Sequence, residues 1–275
     1  MRGVVASARS GPRPAPPSGS RPAPPKEKIF GIDTTVVRYD HAVFFVPDYA
    51  AHKPVAKKVL RKRRVTPPLH GLVAEVMALR SGSIVHAGAF FGDMLPSFSR
   101  KTTGLVYAFE PVIENYLLAR AVMESNDLDN VVLLNAGLGD HVGIAWIETR
   151  KVADGPHCGG MARIVDPDTL GNESHRVPML TVDQLGIEDL SLIQLDVEGF
   201  ELPVLRGAVN AIAAHRPVIV VEDNLGECAA LLAELGYAEA ARLGLDHLYL
   251  TEADTAALAH FTERLTPGGR YRRRG

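Results

Sequence analysis

Short runs of apolar residues recur along the chain from residue 82 onward, and segments with helical periodicity separate them. The runs are rich in Val, Ile and Leu and are bounded by Gly, Pro, Asn or Asp, which is typical of buried strands. They cover residues 83–88, 104–109, 130–136, 190–196 and 217–223. The helical segments cover residues 112–126, 202–215 and 226–236. Apolar strands that alternate with helices predict an α/β domain with a mostly parallel sheet covered on both faces.

Three further segments depart from this alternation. Residues 34–47 predict a small pair of strands, and residues 142–150 predict another strand, followed by the Gly-rich loop DGPHCGG. Residues 236–251 read as two strands around a turn. Because a parallel sheet often carries one antiparallel edge, we expect this last pair at the edge of the main sheet.

The two ends of the chain are basic and poor in apolar residues. Residues 1–28 are rich in Pro, Ser, Gly and Arg and cannot bury enough apolar surface to offset the entropy of ordering, so we expect a disordered tail. The predicted organisation continues with an N-terminal extension of strands and helices at 29–80, a single ligand-binding domain at 81–265 and a basic tail at 266–275.

Composition restricts the class of protein and its compartment. With 46% hydrophobic and 23% charged residues the chain is typical of a soluble globular protein. Residues 1–28 lack the apolar run of a secretory signal, and no stretch approaches the 18 apolar residues of a membrane span. Two cysteines give neither a disulfide framework nor metal-ligand spacing, so we expect a cytoplasmic protein without membrane contact.

The net charge of −2 conceals a basic segment at residues 52–64, which holds seven Lys or Arg and no acid. Such a segment could bind nucleic acid, or it could be the solvated face of a helix. The second interpretation is favoured because no RNA-binding signature or aromatic stacking motif accompanies the charge.

A glycine loop follows the first buried strand, in the sequence IVHAGAFFGD at 84–93. Gly88 and Gly92 permit the tight backbone that lets a ligand approach. Glu110 ends the next strand 22 residues after Gly88, about the spacing at which an acid binds ribose hydroxyls. Alternatively, Glu110 caps the helix that follows it. Loop and acid together predict a ligand that contains adenosine.

The other residues of the glycine loop argue against a ligand that contains phosphates. A triphosphate loop would need a Lys that is absent, and a dinucleotide loop would need a glycine where Phe90 stands. Phe90, Phe91 and the carboxylate of Asp93 are hostile to a pyrophosphate, but they suit a ligand with a cationic centre. S-adenosylmethionine, with its sulfonium and amino-acid end, is the predicted cofactor.

The segments HAGAFFGD, VYAFEP, NAGLGD, TVDQL and LIQLDVEGFELPVLRGA resemble the FkbM family of S-adenosylmethionine-dependent methyltransferases over roughly residues 66–240. The most specific part is the run DVEGFE at 196–201 with the LPVLRGA that follows. The resemblance implies a class I, Rossmann-like sheet of seven strands whose last pair includes an antiparallel strand. It also implies O-methylation, often of sugar or natural-product hydroxyls.

The resemblance further assigns roles to residues at the strand ends. Gly88 and Gly92 would line the methionine moiety, Glu110 would bind the ribose, and Ala136 and Gly137 would lie near the adenine. We add to this cofactor-binding set the neighbouring Phe90, Asp93, His86 and Asp196.

His86 is one of two departures from the family pattern. The family usually has Asp at this position, and it often has Lys at the position of Gln194. A neutral His86 could accept a hydrogen bond from the ligand's amino group or from water, whereas a protonated one would repel the ligand, so we expect it neutral. The alternative is a buried histidine bonded to a neighbouring backbone carbonyl.

Acidic residues crowd the expected methyl-transfer end. Asp196, Glu198 and Glu201 fall within six residues, and Glu222 with Asp223 ends the neighbouring strand. One of Asp196, Glu198 and Glu222 could be the general base that takes the proton from an acceptor hydroxyl. Glu201 would instead brace the following helix, where acids in the first turn are favourable. The alternative interpretation of Glu198 is that it braces this helix as well.

A metal ion is a second interpretation of these acids. Asp196, Asp223 and Asn224 resemble the ligands of catechol O-methyltransferase-like enzymes, and hard oxygen ligands of this kind suit Mg²⁺. His157, in the Gly-rich loop, is the best histidine candidate for a base, with simple exposure as the alternative.

The sequence therefore predicts an S-adenosylmethionine-dependent O-methyltransferase that acts on a hydroxyl of a small molecule, a sugar or a natural product. Two alternatives stay open: a nucleic-acid methyltransferase that uses the basic segment at 52–64, and a non-catalytic protein that binds the cofactor or a partner. A homo-oligomer is left open as well.

Overall fold

A computed structural model describes residues 24–150, 157–166, 168 and 173–265 of the chain. The predicted tails at 1–23 and 266–275, and the first part of the Gly-rich loop at 154–156, lie outside the described residues. The first strand begins at Lys26, so the expectation of a disordered tail through residue 28 is wrong for its last three residues.

The described residues form strands and helices that are numbered in chain order. The strands are β1 (Lys26–Ile29), β2 (Ile32–Tyr39), β3 (Ala42–Pro47), β4 (Ser83–Ala87), β5 (Val106–Phe109), β6 (Val131–Leu134), β7 (Gly137–Leu138), β8 (Gly143–Arg150), β9 (Arg163–Val165), β10 (Glu173–Leu180), β11 (Leu190–Leu195), β12 (Val218–Val221), β13 (Ala238–Leu243) and β14 (Asp246–Leu250). The α-helices are α1 (Pro54–Leu60), α2 (Pro67–Leu79), α3 (Leu95–Ser99), α4 (Ile113–Ser125), α5 (Glu201–Arg206), α6 (Val209–His215), α7 (Cys228–Glu234), α8 (Glu252–Ala257) and α9 (Ala259–Thr262). Short 3-10 helices include Asp48–Ala50 and Gly159–Met161.

The main sheet has seven strands in the order β13-β14-β12-β11-β4-β5-β6. The five strands from β12 to β6 are parallel, and β14 runs antiparallel to both of its neighbours. This arrangement confirms the predicted α/β fold with its antiparallel edge. The strands are continuous apolar runs because both faces of the sheet are covered, so the side chains on both faces are buried.

Two smaller sheets accompany the main one. The antiparallel sheet β1-β2-β3 contains the strand pair predicted at 34–47, together with a third strand, β1. The sheet β7-β10-β8-β9 was not predicted as a sheet, although its strand β8 was. Its central strand, β10, carries His175, Arg176 and Pro178 among its apolar residues. That composition reads as a loop, because proline is usually confined to strand edges.

Apolar side chains pack into a separate cluster on each face of the main sheet. Alternation along β4 sends Ile84 into the cluster shared with the N-terminal sheet and Val85 into the cluster shared with α5 to α7. None of the described helices combines the length and the apolar composition that a bilayer crossing requires.

The helix predicted at 202–215 is divided into α5 and α6 by a turn at Gly207. A Cβ at this position would lie 1.9 Å from the carbonyl oxygen of Gly139, so only glycine lets the two backbones approach this closely.

Gly88 provides a test of close backbone packing at the end of β4. Its φ is +89°, and a Cβ there would lie 1.9 Å from the carbonyl oxygen of Asp196. Gly31 has a similar φ of +84° but has no heavy atom within 4 Å of the same Cβ position. Gly31→Ala should therefore cost only the ~1–2 kcal/mol of a left-handed conformation, whereas Gly88→Ala should cost about 2–5 kcal/mol, because overpacking adds to it. Urea unfolding of both variants measures this difference, and equal losses would contradict the predicted clash.

Candidate functional site

A cleft lies at the carboxyl ends of the parallel strands, with about 510 Å³ of empty space that includes its opening to solvent. This is where an open α/β sheet binds its ligands. The ends of β4, β5 and β11 form one wall, and the four-stranded sheet with the 3-10 helix at Gly159–Met161 contributes another. Lining residues include Ala87, Gly88, Glu110, Val112, Ala136, Gly137, Leu138, Ile147, Ile164, Asp196, Glu198 and Phe200.

The glycine loop runs along this cleft in a conformation that its hydrogen bonds enforce. The backbone N–H groups of Gly88 and Ala89 donate to the carbonyl oxygen of Phe109 at 3.0 and 2.9 Å. Phe90 follows with a φ of +46°, unusual for a bulky side chain. Its N–H donates to Oε2 of Glu110 at 2.7 Å. The strained backbone of Phe90 thus ties the loop to the acid that ends the next strand.

Glu110 is 4% exposed and is surrounded by hydrogen-bond donors. Besides Phe90, the backbone N–H of Val112 and Nδ2 of Asn115 donate to Oε1, at 2.9 and 3.3 Å. Burial raises the pKa of Glu110 to about 7, while these hydrogen bonds oppose the rise. The carboxylate therefore lines the cleft and also holds the start of α4, as the alternative interpretation from the sequence expected.

Two further carboxyl groups, on Asp196 and Glu198, line the same cleft. Burial raises the pKa of Asp196 well above its usual value, and the nearby Glu222, Asp246, Glu198 and Asp93 add to the rise. The pKa of Glu198 is also raised, by burial and by Glu222, and Nη2 of Arg163 lies 3.9 Å from its Oε2. The cleft thus combines mostly apolar walls with several acids.

The sequence model of the family described as methyltransferase FkbM domain matches residues 86–239, more than half of the chain. The chain belongs to this family. The matched segment contains the glycine loop and the strand ends that line the cleft. Among curated proteins, none matches the chain.

Solved structures with the same kind of fold are distant. An FkbM methyltransferase from Methylobacillus flagellatus KT is 18% identical, with a TM-score of 0.43 over 74% of this chain and 54% of that one. An O-methyltransferase from Bacillus cereus in complex with SAH is 16% identical, with a TM-score of 0.36 over 61% and 62%. This chain thus spans about half the length of the Methylobacillus structure. The strand order of its own sheet, rather than these distant similarities, establishes its fold.

The cleft of this FkbM domain suits a cofactor without phosphates. The side chains of Val112, Leu138, Ile147 and Ile164 offer an apolar surface to a flat base, and Glu110 offers a hydrogen-bond acceptor. The anionic groups in the wall would disfavour a pyrophosphate and favour a cation. These residues therefore fit S-adenosylmethionine.

One of the three predicted magnesium ligands, Asp223, caps a helix. Its carboxylate accepts the backbone N–H groups of Gly226, Glu227 and Cys228 at 2.8 to 3.1 Å, at the start of α7. The exposed Asn224 donates to Glu222 at 3.2 Å. These hydrogen bonds give Asp223 a structural role, and the magnesium site on Asp196, Asp223 and Asn224 stays a prediction.

His86 points to the other face of the sheet, among the residues that pack with Ile84. Its Nδ1 is hydrogen-bonded to Oε1 of Gln194, which is its direct neighbour on β11, and its ring lies edge-on to Phe98 at 5.0 Å. Burial lowers the pKa of His86 to about 4, so the ring is neutral at physiological pH, in line with the expectation from the sequence. It is not among the residues that line the cleft, and it bonds a side chain rather than the expected backbone carbonyl.

The other predicted site residues lie behind or beside the cleft wall. Gly92 packs against Ala119 of α4, and burial raises the pKa of Asp93 to about 7. His157 is buried, its ring lies tilted against that of Tyr49 with ring centroids 4.5 Å apart, and it accepts the N–H of Gly159 at 2.8 Å. Phe90 supports the Gly159–Met161 turn, since a Cβ on Gly160 would lie 3.3 Å from its ring. Glu201 accepts the N–H groups of Val197 and Gly199 at 3.1 and 3.2 Å, which confirms its predicted role as a brace.

Sequence reasoning missed the wall contributed by the four-stranded sheet. Ile147 and Ile164 line the cleft from β8 and β9, and Phe200 lines it just before α5. Ile147 lies in a predicted strand, but no local pattern indicates where that strand packs. Asn115, which bonds Glu110, was also missed because it reads as one polar residue of an amphipathic helix.

Asp223 provides a test that separates a cap from a metal ligand. Asp223→Ala should lower the free energy of unfolding by ~0.5–2 kcal/mol, because three backbone N–H groups lose their acceptor. Asp183→Ala is the matched comparison, since Asp183 accepts the N–H groups of Asn210 and Ala211 at the start of α6. Urea unfolding measures both losses, and calorimetric titration with Mg²⁺ should give the same result for Asp223→Ala and wild type. Mg²⁺ binding that only the wild type shows would support the metal interpretation.

Proposed function

We propose that this protein is an S-adenosylmethionine-dependent O-methyltransferase that acts on a hydroxyl group of a small molecule, such as a sugar or a natural product. The observation that carries the proposal is one cleft that contains both the ribose-binding candidate Glu110 and the acids Asp196 and Glu198. A methyl-transfer site needs a cofactor pocket and a proton acceptor side by side, and this cleft offers both.

The cofactor end of the proposed site is built from backbone and apolar side chains. Glu110 accepts hydrogen bonds from the ribose hydroxyls, with the lone pairs that Phe90 and Val112 leave available. Ala136 and Gly137 make room for the adenine, and Gly88 lets the methionine moiety approach the backbone.

Asp196 is the proposed general base. When bound, S-adenosylmethionine supplies an electrophilic methyl group on a sulfonium. The carboxylate of Asp196 would take the proton that the acceptor hydroxyl loses when the hydroxyl oxygen receives the methyl group. The raised pKa of Asp196 makes it a stronger base than an exposed aspartate. Orientation of the hydroxyl by the cleft walls supplies the rest of the acceleration.

Glu198 and Glu222 assist this base through their charge. Both raise the pKa of Asp196, and Oε2 of Glu198 also lies 3.9 Å from Nη2 of Arg163. His157 is a weaker candidate for the base, because its ring is packed against Tyr49 and its Nδ1 accepts a backbone N–H.

The same acids argue against a nucleic-acid substrate. The basic helix α1 would attract a phosphate backbone, but that backbone would then pass Asp196, Glu198 and Glu222, whose charges repel it. A small neutral or cationic acceptor avoids this repulsion. Transfer of a labelled methyl group to RNA, and not to a metabolite fraction from the same cells, would favour the nucleic-acid alternative. Cofactor binding without transfer to either fraction would favour the non-catalytic one.

Glu110→Gln tests the cofactor site. The neutral amide would lose the charge that strengthens hydrogen bonds with ribose and would turn an N–H toward the N–H of Phe90 or Val112, so affinity for S-adenosylhomocysteine should fall about tenfold or more. Isothermal titration measures the affinity. Glu124→Gln is the matched control, because Glu124 lies on the same helix as Asn115 but is exposed and paired with Arg120 at 2.7 Å. Equal affinity in wild type and Glu110→Gln would remove Glu110 from the cofactor site.

Asp196→Asn tests the base. A carboxylate base must be ionised, and its raised pKa means that the rate should increase with pH through a midpoint above the ~3.9 of an ordinary aspartate. The rate of Asp196→Asn should not rise with pH in this way, and its kcat should be about 10²–10⁴-fold lower than that of wild type, as expected for removal of a general base. Rates are measured as S-adenosylhomocysteine release with an acceptor found in the metabolite fraction. A variant that keeps the rate and its pH profile would exclude Asp196 as the base.

A further inference from the structure

Asn115 lies where four separate segments of the chain meet. It sits in the first turn of α4 and is 1% exposed. Its Nδ2 donates to Oε1 of Glu110 and to the carbonyl oxygen of Gly159, both at 3.3 Å. Its Oδ1 accepts the hydroxyl of Tyr49 at 2.8 Å. One amide thus joins the end of β5, the turn beside the cleft and the 3-10 helix that follows β3.

Tyr49 belongs to the 3-10 helix that follows β3, outside the segment that matches the family. Its ring packs against that of His157 in a tilted arrangement, and its hydroxyl donates to Asn115. Burial and the carboxylates of Glu114 and Glu110 raise the pKa of Tyr49, so the phenol keeps its proton and donates it to the amide. The N-terminal extension therefore contributes a residue to the surroundings of Glu110.

We infer that Tyr49 and Asn115 are positioning residues for S-adenosylmethionine, which hold the carboxylate of Glu110 and the Gly159–Met161 turn in the geometry that binds the cofactor. The inference rests on the proposed cofactor site. It adds the N-terminal extension to that site, although none of the residues of this extension was a site candidate from the sequence.

The orientation of the Asn115 amide explains why both residues are needed. Glu110 and the carbonyl of Gly159 offer only acceptors on one side, so the NH₂ group must face them. The oxygen of the amide then points to Tyr49, which supplies the donor. Without the Tyr49 hydroxyl, this buried oxygen loses its partner, and the NH₂ group is no longer held toward Glu110.

The donated hydrogen bond also favours the charged form of Glu110. Asn115, Val112 and Phe90 all oppose the effect of burial on its pKa. The titratable or charged residues that share the cleft with Glu110, or the space beside Tyr49, are Asp196 and Glu198 in the cleft, and Asp33, Asp48, Glu114, Arg150 and His157 beside Tyr49. Removing the Asn115 donor raises the pKa of Glu110 further, so the ionised form that accepts from ribose is lost at a higher pH.

Two variants test the inference by titration with S-adenosylhomocysteine between pH 5 and 9. Asn115→Leu should weaken binding at pH 7 by about tenfold or more, and the pH below which affinity declines should shift upward. Tyr49→Phe, a smaller change that keeps the packed ring, should weaken binding about threefold or more and shift the profile in the same direction. A merely structural loss would lower stability without moving the pH profile.

The chain offers a matched control for each variant. Asn126 also joins α4 to the N-terminal sheet, through Val43, and the hydroxyl of Tyr237 donates to the carbonyl of Pro217 at 2.8 Å. Asn126→Leu and Tyr237→Phe should lower the urea midpoint yet bind S-adenosylhomocysteine with the wild-type pH profile.

The outcomes separate this inference from the proposed function. If wild type does not bind S-adenosylhomocysteine, the proposed cofactor site fails. If wild type binds and Glu110→Gln weakens binding, but Tyr49→Phe keeps the affinity and pH profile of wild type, the inference alone is overturned. It is also overturned if the control variants shift the pH profile as far as Tyr49→Phe does. Should Asn115→Leu not fold, Tyr49→Phe decides.

Discussion

The buried carboxylate of Glu110 is the interaction on which the rest of the site depends. A charge taken out of water is costly unless hydrogen bonds replace its hydration, and here three donors come from the glycine loop and from the start of α4. The N–H of Phe90 fixes the glycine loop, the N–H of Val112 fixes the start of α4, and the amide of Asn115 fixes the turn beside the cleft. Each segment is therefore positioned relative to one carboxylate. Hydrogen bonds to one shared carboxylate make the loops that would hold a cofactor more rigid relative to one another.

His86 and Gln194 form a buried polar contact in the sheet behind the site. The two residues are direct neighbours on adjacent strands, and Nδ1 of His86 is hydrogen-bonded to Oε1 of Gln194. Burial lowers the pKa of His86, so this pair places no charge in the core, where an unpaired charge would be costly. His86 is not among the residues that line the cleft, so it belongs to the core behind the cofactor loop.

The main sheet could be predicted from the sequence because its strands are buried on both faces and read as continuous apolar runs. Most of the strand ends could be predicted too, and Gly88, Glu110, Ala136, Gly137, Asp196 and Glu198 all line the cleft. His86 was predicted to bind the cofactor because it is close to the loop along the chain. Side chains alternate between the two faces of a strand, however, so His86 lies on the face opposite Ala87, which lines the cleft. The wall from β8 and β9 and the contact from Tyr49 could not be predicted, since they depend on how separate sheets dock, and no local pattern encodes that.

Backbone strain at the cleft has a physical reason in the acids that line it. Phe90 and Glu198 both have positive φ, at +46° and +56°, and each lies at the end of a parallel strand where the chain turns into the next segment. At Phe90 the strained turn aims an N–H at Glu110, and at Glu198 it places a carboxyl group in the cleft beside Asp196. Such conformations persist only where surrounding contacts hold them, and they concentrate at functional sites. The Phe90–Glu110 hydrogen bond and the brace from Glu201 to Val197 and Gly199 are those contacts, so the strain and the acids support one another.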